Sequence, residues 1–366
     1  MTRNSRLQDT AVEKAEKYKN ILLIQLGDIG DVVLTTPTIR AAKETYPEAR
    51  VSILVLKPFG SLLWGDPNLH EIVETSRVRG HLIHILREYF GLVRHLRRAH
   101  YDLAIDLRTG DRGAILCFFT GARTRIGRDV HEKRFWRNLI FTRVLHDTPA
   151  APLPVHPGAD QSLRIVRLLG IDTVDSIPRL YVTTADRVRV SELLDRVHTV
   201  PKNFITVNPF SRWAYKEWSN EKWGKVIDRI WETRQIPTVL IGSPQEAAAC
   251  QAIVTGREGR TINMAGKTSL GELAALISVS SLHLGVDSAA PHIAYALGTP
   301  TVTIHGPSDW RAWRIIDDLH KVIIPNMECV PCNRRGCNDS GTSQCLELLD
   351  VDAVIEVIEQ VIQKSN

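Results

Sequence analysis

The stretch GDIGD at residues 27–31 follows an apolar run at 21–26 and puts two carboxylates where a buried strand should turn into a helix. Asp28 and Asp31 would repel a pyrophosphate, and the third glycine of a dinucleotide fingerprint is missing. A carboxylate at such a turn suits proton abstraction from a hydroxyl, which makes Asp31 the candidate general base. The alternative is that Asp31 caps the helix beginning at VVLTTP. A helix start lowers the pKa of a carboxyl and burial raises it, so the two readings pull its basicity in opposite directions. Gly27 and Gly30 are expected to supply positive φ and close approach of a ligand.

A second constellation lies at Asp287-Ser288-Ala289, between the apolar residues 282–286 and a helical segment that carries Pro291 and His292. Backbone N–H groups near 288–290 would be unpaired at that helix start and could hold a diphosphate. Four cysteines, Cys329, Cys332, Cys337 and Cys345, fall in one short glycine-containing stretch. They are candidate ligands for a structural zinc or iron, the other reading being free or weakly paired thiols. On a helical wheel of residues 81–100, Leu82, Ile85, Tyr89, Leu92 and Leu96 form one face, with Arg87, Arg94 and Arg98 opposite. The arginine face is either simply solvated or a surface for anionic headgroups and acceptor phosphates. His283 reads as core packing and His292 as site lining, and most of the tryptophans at 213, 218, 223, 310 and 313 as space-filling. Asp350-Val351-Asp352 imitates a metal-binding DxD, but two acids at a helix start are more simply its cap.

The elements that must position these groups alternate. Short apolar runs at 21–26, 50–56, 102–107, 204–208, 237–242, 282–286 and 299–306 are separated by helical patterns. That rhythm predicts parallel βαβ units and, over 366 residues, two doubly wound α/β domains. The junction is expected near 180–202, with one domain over 20–190 and the other over 200–349. The tail predicts one helix, 350–364, with an apolar stripe. A net charge of +5 is too small to imply nucleic acid. The amino terminus lacks the apolar stretch of a signal peptide, and no run approaches the roughly 18 apolar residues of a membrane span. A cytoplasmic protein, at most peripheral to a membrane, is expected.

The pieces LIQLGDIGDVVLTTPTIRAAKETYPEARVSILV, YDLAIDLRTGDRGA and GVDSAAPHIAYALGTPTVTIHGPSDWRAW together resemble glycosyltransferase family nine, the ADP-heptose:lipopolysaccharide heptosyltransferases. NPFSRWAYKEW and IGSPQE match more loosely, and the resemblance spans roughly residues 20–360. It implies a GT-B architecture, two Rossmann-like domains facing a central cleft, with the last helix crossing back onto the first domain. It also implies inverting, metal-independent transfer of heptose from ADP-heptose to a lipid-linked lipopolysaccharide core sugar at the inner membrane surface, with no cofactor required for catalysis. Position by position, Asp31 matches the catalytic base and Gly30 belongs to the acceptor side. Lys216 matches the lysine that neutralises the donor phosphates, with Ser211 beside it. Glu246 matches a nucleoside-binding glutamate, and Asp287, Ser288, Ala289 and His292 match the donor loop. Two departures stand out: Gln25 replaces a common Arg or Lys on the acceptor side, and Ala289 replaces a frequent glycine. The Asp-Ser-Ala loop leans towards heptosyltransferase III-like members. The other readings are transfer to a protein acceptor with the cysteines as a metal-binding finger, or a non-catalytic nucleotide-sugar binding protein.

Overall fold

The computed structural model describes residues 17–77, 82–129, 135–146, 157–196, 203–313 and 317–365. Two compact units emerge, Met1–Pro178 and Arg179–Asn366. In the first, strands β1 (Asn20–Gln25), β2 (Arg50–Leu56), β3 (Glu71–Thr75), β4 (Leu103–Asp106), β5 (Thr124–Arg128) and β6 (Arg143–Leu145) form one parallel sheet ordered β3-β2-β1-β4-β5-β6. The residues Ile21, Leu22, Leu23 and Ile24 of β1 are wholly buried. A central parallel strand covered on both faces is apolar at every position rather than alternating, which is why this run stands out in the sequence. The helices of this unit are α1 (Ile29–Leu34), α2 (Thr36–Thr45), α3 (Leu82–Arg98), α4 (Asp111–Phe119), α5 (Phe135–Ile140) and α6 (Pro157–Val166).

The second unit opens with α7 (Thr184–Arg196) and repeats the plan. Its strands are β7 (Ile205–Asn208), β8 (Thr238–Leu240), β9 (Thr261–Asn263), β10 (Leu282–Val286), β11 (Thr301–Ile304) and β12 (His320–Ile323). They form a second parallel sheet ordered β12-β11-β10-β7-β8-β9, with helices α8 (Asn220–Arg234), α9 (Ala247–Val254), α10 (Leu270–Ser278), α11 (Ala289–Ala296), α12 (Gln344–Leu348) and α13 (Val351–Ser365). The α/β class, with two Rossmann-like doubly wound domains, is as the sequence predicts. Strand order reverses between β1 and β4 in one unit and between β7 and β10 in the other. Such switch points, at the carboxyl ends of the strands, are where open α/β sheets bind ligands.

The division falls after Pro178, because α7 packs on α10 and so belongs to the second unit. The last helix lies against α8, β11 and β12 of its own unit. The physical reason is its stripe: Val354, Ile358, Val361 and Ile362 are buried in the same core as Trp218 and Trp223. Asp350 precedes α13, and its carboxylate accepts the Asp352 N–H at 3.4 Å, so the DxD imitation is a helix-start contact.

Candidate active site

In the first unit Asp31 is a helix cap and half of an ion pair. Its Oδ2 accepts the Asp28 N–H at 2.9 Å, closing a capping box at the start of α1. Its Oδ1 accepts from Arg108 Nη1 at 2.7 Å, at the carboxyl end of the neighbouring strand β4. Burial raises the Asp31 pKa above the ordinary carboxylate value, while Arg108 and the Asp28 N–H pull against that rise. The turn glycines do not supply positive φ. Gly27 is needed for space instead: a Cβ there would lie 2.3 Å from Asp31 Oδ2. Gln25 is buried and splints the turn, its Nε2 donating to Thr35 Oγ1 at 2.7 Å and its Oε1 accepting the Gly27 N–H at 3.1 Å. The positive charge that Gln25 lacks comes from Arg108. A guanidinium two residues past Asp106, at the end of the strand beside β1, was the available sequence signal. Arg87, Arg94 and Arg98 are exposed on α3 and are not among the partners of Asp31.

In the second unit the groups converge on Asp287, just past β10. Lys216 Nζ donates to its Oδ2 at 2.7 Å, Ser308 Oγ donates to the same oxygen, and His305 Nδ1 lies 3.9 Å away. Ser211 Oγ donates to the Asp287 carbonyl at 3.2 Å, and Ser288 Oγ donates to Asn208 Oδ1 at 2.7 Å. Burial alone would raise Asp287, but His305, Lys216 and Ser308 overcome it and hold the carboxyl down at about 2. Burial lowers His305, so the lasting cation beside Asp287 is Lys216. The lysine is therefore already half of a tight ion pair rather than an unopposed ammonium.

Ser288 is extended and α11 begins at Ala289, where a right-handed backbone accepts a Cβ. Burial holds His292 down at about 4; its Nδ1 has no partner, and its ring meets Trp313 edge-on at 6.1 Å. His283 is a core residue bonded to Thr206 at 3.0 Å. Glu246 Oε2 accepts the Ser243 N–H at 2.6 Å. Among the described residues its link to the group is its field on Glu217, whose carboxylate in turn accepts the Ser211 N–H at 3.0 Å. Sequence reasoning gave no role to Asn208, Glu217, His305 and Ser308; Asn208 ends β7, His305 and Ser308 follow β11, and Glu217 comes from the loop before α8.

Trp218 and Trp223 fill the core, edge to face at 5.4 Å, whereas Trp213 is exposed and stacks on Tyr215 at 6.0 Å. The cysteine loop braces this segment: Ser343 Oγ donates to the Tyr215 carbonyl at 2.6 Å, and Arg335 lies over the Trp213 ring at 5.7 Å. Cys345 is buried, and the other three cysteines are close enough to raise its pKa further after burial has done so. Among the described residues, however, no three His, Cys, Asp or Glu side chains are grouped as metal ligands.

Residues 89–342 match glycosyltransferase family 9 (heptosyltransferase). The chain is 30% identical over 292 residues to lipopolysaccharide heptosyltransferase 3 of Escherichia coli, covering 78% of this chain and 83% of that protein. Among solved structures it is similar to a family 9 glycosyl transferase from Veillonella parvula, with a TM-score of 0.80, 21% identity, and 95% and 98% of the two chains covered. It is also similar to the E. coli ADP-heptose lps heptosyltransferase II, with a TM-score of 0.76, 20% identity, and 94% and 99% covered. The switch-point geometry, the turn motifs and these likenesses agree, and the chain belongs to glycosyltransferase family 9, the heptosyltransferases.

Proposed function

We propose that the protein is an inverting glycosyltransferase that moves heptose from ADP-heptose to a sugar of the lipopolysaccharide core. The donor sugar is taken from the ADP-heptose named for E. coli heptosyltransferase II, and the acceptor class from heptosyltransferase 3. The observation that carries the mechanism is Asp31, a carboxylate with a raised proton affinity fixed at the switch point of the first sheet. In the reaction it accepts the proton of the attacking acceptor hydroxyl as that oxygen bonds to the anomeric carbon. The bond from that carbon to the diphosphate breaks in the same displacement, which inverts the anomeric centre. Negative charge then grows on the departing ADP. Lys216 and the backbone N–H groups at the start of α11 stabilise it, so the chemistry needs no metal step. Asp287 positions Lys216 and keeps the ammonium from swinging into solvent, Ser308 holding the carboxylate in turn.

Work on a lipid-linked acceptor calls for contact with a membrane surface. Among the described residues no helix is long and apolar enough to cross a membrane. Support for peripheral attachment is the exposed mixture of Phe90, Ile115, Phe118 and Phe119 on α3 and α4 with Arg94 and Arg98. Arg97 on α3 donates to the Phe119 carbonyl at 2.7 Å, which sets these two helix ends side by side. Apolar anchors beside guanidinium groups suit an anionic interface. The test is incubation with ADP-heptose and a panel of truncated lipid-linked cores, with mass spectrometry of the products. Addition of one heptose by the wild type and none by Asp31→Asn is the expected result. ADP-heptose binding with no turnover on any acceptor would instead favour a nucleotide-sugar binding protein.

A further inference from the structure

A pocket of about 450 Å³ opens at the carboxyl ends of β1 and β4 and is lined by Leu26, Leu56, Arg77, Arg108, Gly110 and Arg112, among others. Three guanidinium groups therefore share one rim. Asp106 also lines it, but its charge is spent inside the fold, where Arg137 Nη2 meets its Oδ2 at 2.7 Å with both side chains fully buried. Arg77 reaches Asp28 at 3.1 Å and Arg108 reaches Asp31 at 2.7 Å. Among the described residues Arg112 has neutral partners: its Nη2 donates to Thr75 Oγ1 and to the Ser76 carbonyl, both at 2.7 Å, and its guanidinium lies 5.4 Å from the Tyr89 ring. Its Nε is buried without an acceptor. Three guanidiniums face Asp28 and Asp31 there, with the Asp111 carboxylate in the first turn of α4 next to Arg112 in sequence. The start of α4 at Gly110–Asp111 adds the positive end of a nine-residue helix. A fork already held by neutral groups is ready for a planar or tetrahedral oxyanion without further ordering.

We propose that this pocket binds an oxyanion substituent, phosphate or carboxylate, carried by the acceptor sugar, and that Arg108 is shared between that anion and Asp31. In the unliganded protein Arg108 rests on Asp31. An incoming anion competes for the same guanidinium, so the base is released from its counter-ion as the acceptor arrives. Leu26 and Leu56 give the pocket an apolar side for the sugar ring. The proposal rests on the transferase reading only for the identity of the acceptor; the anion pocket itself can be tested without turnover.

The first measurement is calorimetric titration of inorganic phosphate into the full-length protein. Wild type is expected to bind, with affinity reduced tenfold or more in Arg112→Gln. Arg112→Lys, which keeps the charge but not the fork, serves as a second variant expected to fall between them. Unchanged phosphate binding in Arg112→Gln overturns the pocket. The second measurement compares acceptor KM for an intact truncated core, the same core after phosphatase, and the same core with its carboxyl reduced. One treatment is expected to raise KM about tenfold or more in wild type, identifying the anion, and to have little further effect in Arg112→Gln. Equal KM for all three acceptors overturns the proposal while leaving the transferase intact. Phosphate binding that depends on Arg112, without transfer to any core, supports the pocket and refutes the transferase reading. In crystals grown with phosphate, the Arg108–Asp31 contact is expected to open. Phosphate seated on Arg112 with that contact still closed would refute the sharing.

Discussion

Asp31 is held between two opposed demands, a helix cap that favours its charge and a burial that penalises it, and burial prevails. As the proposed base, with its pKa raised from the ordinary carboxylate value, Asp31 is expected to move the acid limb of kcat/KM in the same direction, since activity grows as the proton leaves. Arg108→Gln removes an influence that lowers the pKa, so the limb is expected at still higher pH in a pH–rate profile. Asp31→Asn is expected to lower kcat by about 10²–10⁴-fold with ADP affinity kept. The sign for stability is opposite. A carboxyl whose folded pKa lies above its unfolded one stabilises below the unfolded value and withdraws that stability as pH rises through the folded value. At neutral pH the charged Asp31 is a cost, and Asp31→Asn is expected to melt higher than wild type in calorimetry. At the donor site, Lys216→Ala strands the Asp287 carboxylate where a diphosphate should approach, with a loss of about 10²–10³ in kcat/KM. Adding Asp287→Asn removes that repulsion, and the double variant is expected to recover about tenfold over Lys216→Ala alone. An additive loss would show that the pair does not act as a unit. Asp31, Asp287 and Ser288 were legible because each sits at a turn beside a recognisable strand, whereas Lys216 was reached only through the family resemblance. Arg108, His305 and Ser308 were not, because their meaning depends on which strand end lies next to which.

At the scale of elements, the ends of strands do the positioning, and one buried ion pair secures them. Arg137 on α5 donates to Asp106 at the end of β4 and to the Arg108 carbonyl at 2.7 Å, so it fixes the strand end that carries Arg108. Burial pushes Asp106 up to about 7 despite Arg137. Arg137→Met would leave that carboxyl without its cation and is expected to cost about 3–5 kcal/mol in urea unfolding, most of it regained in the double variant with Asp106→Leu. Nothing in the sequence around Arg137 announces this, because a lone arginine in a basic segment looks solvated. Helix α3 is the opposite case. Its exposed Arg87, Arg94 and Arg98 face was readable from spacing, whereas the aromatic partners on α4 were not. Reversing all three charges is expected to weaken flotation with anionic vesicles by more than 100-fold at low salt, at about 1 kcal/mol per basic residue near the surface. Equal binding of the variant would remove α3 from the membrane reading. The strands show a similar divide. The central runs were visible because parallel strands covered on both faces are uniformly apolar, while Glu71–Thr75, Thr124–Arg128 and His320–Ile323 lie towards sheet edges and carry polar residues.

For the molecule as a whole, two doubly wound sheets in one chain were foreseeable from the βα rhythm, but which side chains the stripe of α13 meets was not. An amphipathic stripe says that one face is buried and is silent about what buries it. With α13 sealed into the core that contains Trp218, Trp223 and the strands of the second sheet, residues 179–366 hold a closed apolar interior of their own. That has a direct consequence for dissection. A fragment beginning at Arg179 and keeping α13 is expected to unfold cooperatively and to bind ADP, since Lys216, Asp287 and Ser288 all lie within it. Saturating ADP at about 100 times its Kd should stabilise this fragment by about 2.7 kcal/mol. Ending the same fragment at Asp350 removes four buried aliphatic side chains, Val354, Ile358, Val361 and Ile362. At about 1.5–3 kcal/mol each, that loss is of the order of a domain's entire stability. The shorter piece should therefore show no melting transition, and ADP should not rescue it. A truncated fragment that still melts cooperatively would mean that α13 is an appendage, and the core assigned to the second unit would have to be redrawn without it.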